Sequence, residues 1–219
     1  MKQRSVYGLF AAILLSSPLF LAARVQAKPL SADEVRDLQA KMKSSDFLTV
    51  DMVQTRVSTF RGEKKSVRTG KAIFAKPDRF KWMLETPVQE YKIFDGKACY
   101  DYRPAEKSAQ KYTATGPVFH DLMSIVDLVQ NFDSLLKRYE LIKAESDEGV
   151  VTVDLKPKLE GEVVGVTLKL SLKDSYMTYL RMDLKRKNSL THEFSNPVRA
   201  AVPADAFKIP DGVKITDSN

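Results

Sequence analysis

A single cysteine, Cys99, excludes any intrachain disulfide, so packing alone must hold the fold even in an oxidising compartment. Histidine is nearly as scarce. His120 and His192 stand far apart, with no second His or Cys at ligand spacing, which removes the common zinc patterns. There is no G-x-S-x-G and no phosphate-cradling glycine loop. The two S-x-x-K matches, Ser108 to Lys111 and Ser134 to Lys137, lack the companion S-D-N and K-T-G elements. No catalytic constellation is left, and the chain reads as a protein that is not an enzyme and needs no cofactor. Cys99 alternates with Ala98 and Tyr100, as a small packed or surface thiol would. His192 shares strand parity with Leu190 and Phe194, which reads as a satisfied histidine on a largely apolar face.

Long apolar runs are missing too, apart from one at the start. Lys2 and Arg4 precede an apolar run from Val6 to Leu21 that closes at Val25-Gln26-Ala27, a small-residue cleavage pattern. The run is short of the roughly 20 residues a spanning helix needs and carries Ser16, Ser17 and Pro18, so residues 1–27 read as a cleaved export signal. Lys28 and Pro29 stand where a lipidation cysteine would have to be, and residues 28–219 are expected to form one soluble exported domain. The formal charge is +7. Without Lys2, Arg4 and Arg24 it becomes 32 basic against 28 acidic residues, a net of +4, too mild and too interspersed for nucleic-acid binding. The densest basic cluster, Lys185-Arg186-Lys187, reads as a turn between strands.

The spacing Ser31-Ala32-Asp33-Glu34 is that of a capping box, with Val35, Leu38 and Met42 following on one helical stripe. From about Phe47 the period changes to two. Val53, Thr55 and Val57 alternate with Gln54 and Arg56, a polar turn spans Arg61 to Lys65, and a second run covers Val67 to Ala75. Phe80, Trp82 and Leu84 share one face of the next strand, opposite Arg79, Lys81 and Glu85. Asp95-Gly96 between two further runs predicts a tight hairpin with a type I′ turn. The C-terminal half alternates more cleanly, through Val151/Val153/Leu155, Val164 to Leu172, Leu180/Met182/Leu184 and Leu190/His192/Phe194. About ten or eleven strands joined by short polar turns imply an antiparallel, curved sheet or incomplete barrel. One stretch breaks the pattern. Between Pro117 and Leu136, the residues Phe119, Leu122, Met123, Val126 and Val129 recur at helical spacing and predict an amphipathic helix, or two short ones, against the sheet's inner face. That face is either an ordinary filled core or the wall of a cavity with the helix as its lid.

Several ordered motifs bear on that choice. Phe74-Ala75-Lys76-Pro77-Asp78-Arg79-Phe80-Lys81-Trp82 is followed by Thr86-Pro87, by Asp95-Gly96 and by Tyr100-Asp101-Tyr102-Arg103-Pro104. Leu155-Lys156-Pro157 and Phe207-Lys208-Ile209-Pro210-Asp211-Gly212-Val213 come later. In order and spacing, from about Asp33 to Thr216, the chain resembles the LolA family of periplasmic lipoprotein carriers. The resemblance implies a mainly β fold, an incomplete antiparallel barrel with a helical lid over an apolar cavity. It implies a periplasmic chaperone, a monomer, that takes acylated lipoproteins from an inner-membrane ABC transporter of the Lol type to an outer-membrane lipoprotein receptor. By that carry-over Phe80, Trp82 and Leu84 line the acyl-chain cavity. Phe119, Leu122, Met123, Val126 and Val129 form the lid's underside. The family usually has Arg before the proline, where this chain has Lys76, which keeps the charge of a lid latch but not the planar donor fork. The rival expectation is a periplasmic lipid-binding sensor or scaffold on the same fold.

Overall fold

The computed structural model describes residues 27–41, 46–112, 135–203 and 205–218, with the side chains of 39–41 excepted. The chain enters through a two-residue strand, β1 (Lys28–Pro29), and helix α1 (Ala32–Lys41). The capping box is formed: the Glu34 N–H donates to Ser31 Oγ at 3.2 Å, and the Ser31 N–H donates to Glu34 Oε2 at 2.8 Å. That N–H, with the Lys28 amine and the Ser31 hydroxyl, holds the Glu34 carboxyl down to about 2. The cap directs Val35, which is fully buried, and Leu38 into the core. Replacing the cap, Ser31→Ala, is expected to lower stability by about 1 kcal/mol in urea unfolding.

Twelve further strands follow: β2 (Phe47–Ser58), β3 (Lys64–Ala75), β4 (Arg79–Leu84), β5 (Glu90–Phe94), β6 (Cys99–Arg103), β7 (Ser108–Tyr112), β8 (Tyr139–Asp147), β9 (Val150–Pro157), β10 (Val163–Ser171), β11 (Tyr176–Leu184), β12 (Asn188–Val198) and β13 (Lys214–Ser218). A one-turn helix, α2 (Leu135–Arg138), leads into β8. Among the described residues the strands form one open sheet in the order β1-β8-β9-β10-β11-β12-β2-β3-β4-β5-β6-β7-β13. Pairing is antiparallel throughout except between β13 and β7. The count exceeds the ten or eleven read from periodicity chiefly through β1 and β13, which are short and mostly exposed and carry no alternation to read.

Curvature can be measured from two rings. Trp82 on β4 and His192 on β12 are separated by β2 and β3, three steps that would span about 14 Å in a flat sheet. Their ring centroids lie 4.9 Å apart. The sheet must therefore curl, and the small residues Gly70 and Ala72 of β3 leave room for the rings to converge. Register shifts in β8, β10 and β12 add local bends. Apolar side chains from β2 to β6 and from β8 to β12, with Val35 and Leu135, make one continuous cluster on the concave face.

The convex face is covered as well. Residues 199–203 and 205–213 lie on it, and Phe207 packs on Ala75, Ile93, Tyr102 and Ala109 before the chain adds β13 beside β7. The Arg79 guanidinium lies over the Phe207 ring at 5.1 Å, and the Lys81 amine over Tyr91 at 5.5 Å. Burial lowers the pKa of Lys81, against the opposing charge of Asp205.

Three local readings need correction. In β2 the buried positions are Val50 and Met52, while Val53 is exposed, because the alternation that looked apolar faces outward at that point. In β10, Val166, Leu168 and Leu170 are buried, but the run's ends at Val164 and Leu172 reach solvent. The hairpin between β5 and β6 exists without a type I′ turn at Asp95-Gly96. Only Gly96 has positive φ, +95°, and the Asp95 carboxylate accepts from the N–H groups of Lys97 and Ala98 instead. Lys185-Arg186-Lys187 is the turn between β11 and β12, as read.

Candidate functional site

An arc of rings runs across the concave face. Phe94 of β5 meets Phe80 of β4 at 5.9 Å, Phe80 meets Trp82 at 6.2 Å, Trp82 meets His192 at 4.9 Å, and His192 stacks on Phe194 at 6.1 Å. Beside it lie Met52, Met177 and Met182 and the aliphatic side chains of β9 and β10. Thioethers repack at low cost, so this wall can adapt to an occupant. Phe80, Trp82 and Leu84 are brought together here, on adjacent inward positions, all buried. Phe119, Leu122, Met123, Val126 and Val129 lie outside the described residues, as does His120. So does the proposed leader except Ala27. Lys76 is exposed in the turn between β3 and β4, where its N–H donates to the Asp46 carbonyl at 2.9 Å.

Next to the arc sits an ionic row that periodicity did not point to. Lys92 of β5 is opposite both Trp82 and Asp101. Its amine donates to Asp101 Oδ2 at 3.0 Å and lies 3.2 Å from Glu90 Oε1, while Glu90 Oε2 accepts from Arg68 at 2.8 Å. Burial pulls the Lys92 pKa down, but Asp101 and Glu90 outweigh it and hold it above the ordinary value. Burial likewise pushes Glu90 up, and Arg68 with Lys92 brings it below the usual carboxylate range. The four side chains satisfy one another, apart from Asp101 Oδ1, which is buried without a partner among the described residues. A signal for this row existed. The hairpin pairs Phe94 with Cys99, and counting back two residues puts Lys92 opposite Asp101.

Two side chains depart from the apolar logic of the arc. His192 is fully buried, and among the described residues neither ring nitrogen has a hydrogen-bond partner. Trp82 is 4% exposed, and its indole N–H is equally unpaired among them. The expectation of a satisfied histidine is thus half right: the apolar face is there and the partner is not. Desolvation pushes the imidazole down to about 4, so the ring is neutral at physiological pH. Cys99 is packed in the same cluster, and burial raises its thiol to about 11, which leaves it inert. Among the described residues no three His, Cys, Asp or Glu side chains group to hold a metal, and no helix is long and apolar enough to cross a membrane.

The concave face thus gathers buried apolar side chains around a few neutral donors, and among the described residues no nucleophile is poised for chemistry. A family model described as outer membrane lipoprotein carrier protein LolA matches residues 43–210. An outer-membrane lipoprotein carrier protein of Shewanella baltica is 26% identical over 212 residues, 94% of each chain. A protein of the same name from Bordetella avium is 29% identical over 119 residues, 52% of this chain and 54% of that one. An uncharacterized conserved protein from Thermus thermophilus shares the fold, with a TM-score of 0.52 at 10% identity, over 86% of this chain and 100% of that one.

Proposed function

Because this chain belongs to the LolA family of outer membrane lipoprotein carrier proteins, we propose that it shelters lipoprotein acyl chains against its concave face and ferries them across the periplasm. Exposing one long acyl chain to water costs on the order of 10 kcal/mol, at about 0.8 kcal/mol per methylene. An escort is needed, and non-directional apolar contact lets the cargo leave again. The observation that carries the reading is the inward arc from Phe94 to Phe194, backed by three methionines, on a sheet curved enough to bring β4 and β12 together. In this reading Phe80, Trp82 and Leu84 contact the chains directly.

The stretch that carries Phe119, Leu122, Met123, Val126 and Val129 serves as the cover. It joins β7, near one end of the sheet, to α2, whose Leu135 and Leu136 pack on the concave cluster beside β8 near the other end. Lys76 acts as its latch. Lys76→Ala is expected to leave unfolding stability within about 0.5 kcal/mol, as for other exposed sites, while it changes the rate of cargo hand-over in a two-component transfer assay. Residues 1–27 act as the export signal. The donor is an inner-membrane ABC transporter of the Lol type, and the acceptor an outer-membrane lipoprotein receptor.

Depletion of the protein in its own cell tests the reading. Lipoproteins destined for the outer membrane are expected to accumulate at the inner membrane, as measured by fractionation. Normal sorting after depletion, with free lipid rather than acylated polypeptide bound to the isolated protein, would move the chain to the sensor or scaffold class.

A further inference from the structure

Buried polar groups in folded proteins are almost always paired, and leaving one unpaired costs about 1–3 kcal/mol. Trp82 and His192 leave three ring nitrogens unpaired within one ring contact of 4.9 Å, at the centre of the concave arc. The neighbours are mostly apolar, with Phe80 and Phe194 on the flanks and Leu180 opposite His192 on β11. The polar ones, Gln54 opposite His192 on β2 and Lys92 opposite Trp82 on β5, leave the three nitrogens unpaired among the described residues. We propose that Trp82 and His192 form a polar subsite inside the acyl-binding face, where the indole N–H and the imidazole N–H donate to a carbonyl oxygen of the lipid moiety.

The chemistry selects a neutral acceptor. Both donors are uncharged, and the neighbouring cation that could balance an anion, Lys92, is already held by Asp101 and Glu90. A fatty-acid carboxylate or a phosphate at this depth would be an unpaired buried charge. An ester or amide carbonyl at the head of an acyl chain meets both demands: it is neutral, accepts two hydrogen bonds and is joined to hydrocarbon that suits the surrounding wall. An occupant of pure hydrocarbon would leave all three nitrogens orphaned. The subsite thus fixes how deep the chain heads sit. This inference rests on the carrier reading and adds a register to it.

The test uses a triacylated lipopeptide with ester-linked glyceryl chains, its diether counterpart with the same chain lengths, and a diacylated peptide without the N-acyl amide. Affinities are read by displacement of a fluorescent fatty-chain probe from the full mature protein. The unmodified protein is expected to bind a carbonyl-bearing ligand about tenfold more tightly than the analogue without that carbonyl, the worth of one or two net hydrogen bonds. A loss in the diether arm assigns the contact to the esters, and a preference that disappears only without the N-acyl group assigns it to the amide. In His192→Leu and in Trp82→Phe the ratio of the two affinities is expected to shrink to about twofold or less, and the ratio is read within each variant so that a change in overall affinity does not enter it. Equal binding of all ligands after correction for chain number overturns the subsite and leaves the carrier reading standing. Failure of every acylated peptide to displace the probe overturns both.

Discussion

Gly70→Ala is expected to destabilise the protein by about 3 kcal/mol or more, near the upper end for overpacking, and to shift the tryptophan emission to longer wavelength. A Cβ at Gly70 would lie 1.7 Å from the Met83 carbonyl oxygen and 2.8 Å from its carbon, both backbone atoms of the adjacent strand. No rotamer change can relieve that contact, so β3 and β4 must part. Glycine inside a strand often marks such a close backbone approach, and here the approach helps set the curvature that brings Trp82 to His192. Trp82 is the only tryptophan, so its emission reports the concave face without labelling. Gly165 supplies the control. Its added Cβ would meet Asp183 Oδ2 at an ordinary 3.6 Å, and Gly165→Ala is expected to change stability by about 0.5 kcal/mol or less. Equal urea midpoints for Gly70→Ala and the unmodified chain would show that the bend does not depend on this glycine.

The second large effect is acid instability that sets in below pH 6.5 and originates at His192. His192 is buried neutral, and desolvation lowers its pKa from 6.5 to about 4. Below pH 6.5 the unfolded chain binds a proton that the folded chain refuses, so stability is full above that pH and falls as the pH drops toward 4. At 1.36 kcal/mol per unit, the loss amounts to about 3 kcal/mol. The carboxylates with lowered pKa, Glu34, Glu90 and Asp51, add their own loss only below their ordinary values of 4.5 and 3.8. Between pH 6.5 and 4.5 the slope of unfolding free energy should therefore differ between the unmodified chain and His192→Leu. The variant is also expected to be about 1–2 kcal/mol more stable at pH 7, because it removes two unpaired nitrogens from an apolar site. A protein that retains a destabilising histidine at its centre fits a site kept for binding rather than for stability. Parallel pH profiles for the two chains would show that the imidazole finds a partner in solution.

What could be read in advance depended on whether one face of an element decided its burial. β4 was legible because Phe80, Trp82 and Leu84 face the concave cluster while Arg79 and Lys81 lie over rings on the other side. The helix cap was legible because its hydrogen bonds are local. The extent of β5 was legible but the facing of its residues was not, since both of its faces are covered. Ile93, at 0% exposure, packs under Phe207 from a segment more than a hundred residues away, and Lys92 points inward. Period-two reading assigns the apolar side to the interior, so a strand buried on both sides defeats it. In β2 the opposite holds, since Val53 alternates as a core residue would and stands exposed. β13 pairs parallel to a strand that ends a hundred residues earlier, and no local pattern encodes that partner. Within the candidate site, the apolar arc was foreseeable from alternation. The ionic row required hairpin register, and the orphaned nitrogens of Trp82 and His192 required coordinates.

The role assigned to the concave face can be tested at one residue. Titrating the protein, produced as residues 28–219, with a triacylated lipopeptide whose chains carry bromine should quench Trp82 emission saturably, whereas the unbrominated lipopeptide should bind equally well without quenching, since bromine acts only at contact. Saturable binding of the brominated ligand with undiminished Trp82 emission would place the acyl chains elsewhere on the molecule and contradict the account.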